Sequence, residues 1–217
     1  MHLAFAGRDR ATVRVADLGC LEGGYSVELA RAGYETLGIE GREENFACCT
    51  YVGERVGLPN LQFTCDDVRN LEAHGAFDAV LCIGLLYHLD SPNAFLELLG
   101  RSTRRLLMLQ THYATDVAPE ACTLGDWTTH EGRRGRWYLE LAEGGDDAEL
   151  IANRWGSIRN RRSFWLDKRE LVQAIRDAGF DLAFEQYDFV DDCVTNNVID
   201  RYSRSMFVAV RTGDLPI

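Results

Sequence analysis

The stretch VADLGCLEGGYSVELARAGYETLGIE, residues 15–40, decides how the rest of the chain is read. TVRVADLG is a short apolar run ending at Gly19. YSVELARAG has helical spacing, with Val27, Leu29 and Ala30 on one face, and Gly33 stands where a helix stops. YETLGIE is a second apolar run, and it ends on an acid. Strand, glycine turn, helix and strand in that order open many nucleotide-binding α/β folds.

Outward from this unit the alternation continues. EENFACCTYVGERVG reads as a helix stopping at Gly57, and LQFTCDDV as strand three. FDAVLCIGLL is strand four, with Ser91 and Pro92 as N-cap and first residue of the next helix. RRLLMLQTH is strand five. Such alternation implies parallel strands joined by right-handed crossovers. Residues 113–163 carry glycines, arginines and aromatics without a clear period. DKRELVQAIRDAGF is again an amphipathic helix, and DLAFEQYDF and SRSMFVAV close the chain as two strands joined by a long connection. The expectation is one domain over residues 1–217: a doubly wound, seven-stranded, mostly parallel sheet with an insertion, residues 113–163, after strand five.

The turn selects the nucleotide. A dinucleotide fingerprint needs G-x-G-x-x-G, whose middle glycine lets the backbone touch a pyrophosphate. Gly19 and Gly24 fit the outer positions, but Leu21 occupies the middle one. A leucine crowds a diphosphate and need not crowd a ligand without one. S-adenosylmethionine is such a ligand. Asp17, ending strand one, can brace the loop. Glu40, ending strand two, can accept from both ribose hydroxyls. Asp67, ending strand three, can accept from the adenine amine while the Val68 amide meets a ring nitrogen. Acids at successive strand ends also suit a sulfonium cation better than a phosphate.

These segments, with LGIEGREENF, CDDVRNL and FDAVLCIGLLYHLDSP, resemble the motifs of class I S-adenosylmethionine-dependent methyltransferases from about Val13 to His112. Asp17, Gly19 and Gly23 match the family's first motif and Leu21 departs from it. The resemblance implies a last strand that runs antiparallel, and a cofactor site that also takes in Cys20, Cys82 and Ile83, with the amino-acid tail of the cofactor near Gly19 and Cys82. S-adenosylhomocysteine is the implied product. GLLYHLDSP and NRRSFWLDKRELVQAIRDAGF are similar to segments of the branch that contains the tRNA wobble-uridine carboxymethoxy-type methyltransferases.

The acceptor is less legible. All four tryptophans, Trp127, Trp137, Trp155 and Trp165, lie in or just after the insertion, among seven arginines: Arg133, Arg134, Arg136, Arg154, Arg159, Arg161 and Arg162. Two readings stand side by side. One is a lid in which His130, Arg133, Trp137, Tyr138 and Trp155 hold an acceptor; the other is a small satellite core with solvated arginines. Trp165 fits core better. The methyl group of a sulfonium is already activated, so alignment matters most, and a base is needed only for a hydroxyl or a protonated amine. His88 and His112 are the candidate bases, with His130 reaching down from the lid as a third and Tyr113 to orient the acceptor.

The net charge of −11 speaks against a chain that clings to nucleic-acid backbone, so a small-molecule acceptor is expected ahead of RNA. A third reading is a non-catalytic protein that kept the cofactor pocket. Seven cysteines without a C-x-x-C pair read as reduced thiols, with no metal ligands expected, and place the chain in the cytoplasm. No apolar run reaches the roughly 18–20 residues of a membrane span, and the N-terminus lacks the charge order of a signal peptide. A monomer and a homodimer are both compatible with an aromatic lid.

Overall fold

The computed structural model describes residues 1, 3–116, 122–142, 144–186 and 203–213. Seven strands form one sheet: β1 (Arg14–Leu18), β2 (Glu35–Glu40), β3 (Leu61–Cys65), β4 (Phe77–Ile83), β5 (Thr103–His112), β9 (Leu182–Gln186) and β10 (Arg204–Val210). Their order is β3-β2-β1-β4-β5-β10-β9. The first five run parallel, and β10 lies antiparallel between β5 and β9. The expected fold is the one found. Tyr187–Phe189, the end of the expected sixth strand, and Cys193 lie outside the described residues.

The central strands are buried almost throughout, as a parallel sheet covered on both faces requires. Helices α1 (Gly24–Arg31), α2 (Glu43–Val56), α3 (Pro92–Ser102) and α5 (Lys168–Asp177) cover it. The sheet's main core centres on Leu18, Ile39, Val80, Leu99, Leu107 and Phe207. Gly57, with φ 62°, caps α2 in the left-handed region, as expected. Ser91 does occupy the N-cap position of α3, yet its side chain makes no capping bond. The orphan amides of Asn93 and Ala94 instead donate to the Glu131 carboxylate, at 2.9 and 3.0 Å, from outside the helix's own sequence.

Glu131 belongs to the insertion, which is more ordered than its lack of period suggests. Strands β6 (Leu124–His130), β7 (Arg133–Leu139) and β8 (Arg162–Leu166) form a second, antiparallel sheet. β6 and β7 meet in a two-residue turn with φ 52° at Glu131 and 75° at Gly132. Positive φ at both turn positions matches the twist of a hairpin, and Glu-Gly is an uncommon pair for it. β8 runs past residue 163, so the inserted sheet ends three residues later than expected. The short helix α4 (Asp147–Ala152) lies between β7 and β8.

Candidate active site

The carboxyl ends of β1, β2 and β4 form the floor of a cleft of about 550 Å³, within the roughly 300–1,000 Å³ of small-molecule sites. Gly19, Leu21, Glu40, Asp67, Val68 and Ile83, six of the residues expected at the cofactor site, line it. Asp17, Cys20, Gly23 and Cys82 do not; they are buried beneath it. Asp17 is buried and accepts from Ser26, at 2.6 Å from its Oγ and also from its backbone amide. A carboxylate therefore already sits at the N-terminus of α1, where a phosphate would otherwise bind. Burial pushes the Asp17 carboxyl up to about 6, against the lowering effect of the Ser26 bonds. Gly23, with φ 85°, has no room for a side chain, since a Cβ there would fall 2.5 Å from the Phe63 ring.

Four of the loop amides are spent on the protein itself. Gly19 and Cys20 donate to the Ile39 carbonyl at 2.8 and 3.2 Å, and Gly23 donates to the Cys20 carbonyl at 2.7 Å. Leu21 donates to Glu40 Oε2 at 2.9 Å. Leu21 holds φ 52°, so it keeps a left-handed backbone that a glycine would adopt at lower cost. Cys20 Sγ lies 3.8 Å from Cys49 Sγ, and that contact with burial pushes the Cys20 thiol well above its ordinary range. Burial likewise pushes Cys82 up to about 12.

Glu40 is 3% exposed and still faces the cleft. Its second oxygen accepts from the Arg42 amide at 2.8 Å, so each oxygen keeps a lone pair for a vicinal diol. Asp67 caps the turn that follows β3 through the Arg69 amide, and it also meets the guanidinium groups of Arg69 and Arg159 at 3.1 and 3.2 Å.

Residues 154–159 form a strap across this floor. Arg42 donates to the carbonyls of Gly156 and Ser157 at 3.0 and 3.2 Å, and Arg154 donates to Asn45 Oδ1 at 3.3 Å. Trp155, 70% exposed, and Ile158 border the cleft. Of the five residues expected to hold the acceptor, Trp155 alone lines it. Arg133 is ion-paired with Asp177 and Glu170 of α5 and bonded to Asn93, which clamps the hairpin to the sheet's helices. His130 and Trp137 pack with Phe164, and Tyr138 stacks on Trp165 at 4.8 Å. Trp137 instead borders a second hollow, with Asp90 and Arg162. His130, Trp137 and Tyr138 thus pack in a satellite cluster, Arg133 is ion-paired and not solvated, and the strap is the part of the insertion that reaches over the cleft.

At the far end of the cleft stand Tyr87, His88, Gln110 and Arg204. His88 Nδ1 meets Glu140 Oε1 at 2.8 Å, and the Glu140 side chain is 1% exposed. Glu140 also accepts from the Ser157 amide and the Ser163 hydroxyl, so one buried carboxylate ties the strap, β8 and His88 together. His112 and Tyr113 do not line the cleft. His112 stacks on Trp165 at 4.7 Å and meets Tyr87 edge-on at 4.7 Å, and its Nδ1 bonds Ser203. Burial, then the Arg204 charge, lowers its imidazole to about 4. Tyr113 is buried against Phe207, with Lys168 over its ring.

A family model described as a methyltransferase domain matches residues 2–183. The chain belongs to that methyltransferase domain family. It is 28% identical to the N-terminal domain of EvdMO1, solved with SAH bound, with a TM-score of 0.70 over 96% of this chain and 76% of that one. It shares 27% identity over 129 residues with the glycine/sarcosine N-methyltransferase of Halorhodospira halochloris. That match spans 58% of this chain and 43% of the curated relative's length. The magnesium protoporphyrin IX methyltransferase of Synechocystis PCC 6803, at 19% identity and a TM-score of 0.57, shares the fold.

Within this methyltransferase fold, sequence reasoning missed Arg42, Tyr87, Gln110, Glu140 and Arg204. Tyr87 could have been found, since it precedes His88 at the end of strand four. Arg204 begins an antiparallel strand, so it shares an edge with the ends of the parallel ones. Glu140 carried no local signal, because its partner His88 is 52 residues away.

Proposed function

We propose that the chain is an S-adenosylmethionine-dependent methyltransferase with a small-molecule acceptor, releasing S-adenosylhomocysteine. The observation that carries this reading is the floor of the cleft. The amides of Gly19, Cys20, Leu21 and Ser26 are taken up by Ile39, Glu40 and Asp17, and each Glu40 oxygen keeps a lone pair for a diol. Such a site is fitted to an adenosyl group without phosphates. When bound there, the sulfonium supplies an activated methyl group to a nucleophile on the acceptor.

Glu40 holds the ribose, Asp67 and the Val68 amide hold the adenine, and the strap with Ile158 keeps water from the floor. His88 takes the acceptor proton. Its Nδ1 is fixed on Glu140, which leaves Nε2 as the nitrogen free to accept that proton. This arrangement suits a hydroxyl or amine acceptor.

Radiolabelled S-adenosylmethionine with pooled metabolites tests the reading. Labelled small-molecule product from the wild type is expected, with its loss in His88→Ala while calorimetric binding of S-adenosylhomocysteine persists. Absence of cofactor binding refutes it. Steeply salt-dependent binding of bulk tRNA, with label in RNA, would move the acceptor to the wobble-uridine class.

A further inference from the structure

The acceptor end of the cleft contains a cation that the proposed chemistry does not use. Arg204, first residue of β10, reaches the cleft beside Gly84 and Gln110. Gln110 Oε1 accepts from one terminal nitrogen at 2.8 Å. No carboxylate pairs with this guanidinium among the described residues, and its buried Nε has no partner there. Of the other cleft arginines, Arg69 and Arg159 are paired with Asp67, Arg42 is bonded to the strap, and Arg154 is bonded to Asn45 at the strap's own end of the cleft. Among the described residues this half-buried guanidinium has only neutral partners, so an anion set beside it gains a charge-assisted hydrogen bond.

A second donor converges on the same place. Gly84, with φ 76°, follows directly on β4 and lies against both Tyr87 and Arg204. A Cβ built on it would stand 3.6 Å from the Tyr87 hydroxyl and 3.7 Å from an Arg204 terminal nitrogen. Burial raises the Tyr87 phenol, opposed by the nearby Arg204 charge, so it remains a donor at neutral pH. Arg204 also lies over the Tyr87 ring at 5.6 Å. One cationic fork and one hydroxyl, fixed by Gln110 and the ring, match two oxygens bearing one charge.

We infer that Arg204 and the Tyr87 hydroxyl form a carboxylate subsite, so that the acceptor is a carboxylic acid anchored above Gly84. This deepens the proposed function and rests on it for the word acceptor. The carboxylate would be held next to His88, the residue after Tyr87. A neutral analogue of the acceptor would bind in the same cleft without the anchor.

The test uses benzoate and benzamide, planar probes of one shape and different charge, titrated by calorimetry into the full chain with and without S-adenosylhomocysteine. Benzoate is expected to bind at least about tenfold more tightly than benzamide. Arg204→Gln should erase that preference, Arg204→Lys should keep part of it, and Tyr87→Phe should reduce it about threefold. Equal binding of the two probes, no binding of either, or an unchanged preference in Arg204→Gln overturns the subsite. Tighter binding of phenyl phosphate than of benzoate overturns its assignment to a carboxylate. If S-adenosylhomocysteine does not bind while benzoate is still preferred, the subsite stands and the proposed function falls.

Discussion

The floor of the cleft and its cover are held by different physics. Gly19, Leu21 and Glu40 sit within one strand–turn–helix–strand unit, and they satisfy one another through backbone amides. The cover is pinned by side chains that reach across the sequence. Glu131 caps a helix 38 residues away, Glu140 meets His88 at a separation of 52, and Arg42 reaches Ser157 at 115. The floor therefore leans on two carboxylates of its own unit, Glu40 and Asp17, whereas the cover depends on side chains from distant segments.

Glu140→Ala should break the cover most severely. It leaves the Ser157 amide, the Ser163 hydroxyl and His88 Nδ1 without their acceptor, and each unmet buried donor costs about 1–3 kcal/mol. We expect a total near 3 kcal/mol, read as a fall in Tm of about 6–12 °C. Affinity for S-adenosylhomocysteine should stay within about threefold, and a larger loss would mean that floor and cover are not separable.

The next effect is a pH dependence. Burial lowers His112 to about 4, against an ordinary value near 6.5. Its folded form disfavours protonation, so its contribution is complete above about pH 6.5 and lost as pH falls towards 4, by about 3 kcal/mol. Asp17 runs the other way. Its carboxyl is raised to about 6, so stability is lost as pH rises from about 4 to 6. The two nearly cancel in the wild type. In His112→Phe the cancellation is removed, and urea titrations should show stability falling as pH rises through this window, where the wild type is flat.

How much of this was legible follows the same division. Asp17, Gly19, Glu40 and Asp67 drew attention because strand ends and glycine turns are local signals, and the parallel direction of the first strands followed from alternation, while their order in the sheet did not. The hairpin of β6 and β7 was hidden because Glu131-Gly132 is not a common turn pair. Arg133, expected to meet an acceptor, meets Asp177 instead, and no local rule joins residues 44 apart. His112 showed itself as a histidine at a strand end, but its stacking on Trp165 depends on a contact between two sheets.

Smaller effects sharpen the contrast. Glu131→Ala removes a borrowed helix cap and should cost about 1 kcal/mol by thermal melting, with the cofactor site untouched. Leu21→Gly should change stability by no more than about 1 kcal/mol, since relief of the left-handed backbone offsets the greater freedom of glycine in the unfolded chain.

Calorimetric titration of S-adenosylhomocysteine into the wild type and into Glu40→Ala tests the floor most directly. The account predicts a single site in the wild type and affinity weakened roughly 100-fold in the variant, since hydrogen bonds to a charged group are worth about 1.5–3 kcal/mol each. Equal affinity in the two proteins, or tighter binding of a dinucleotide than of S-adenosylhomocysteine, would contradict it.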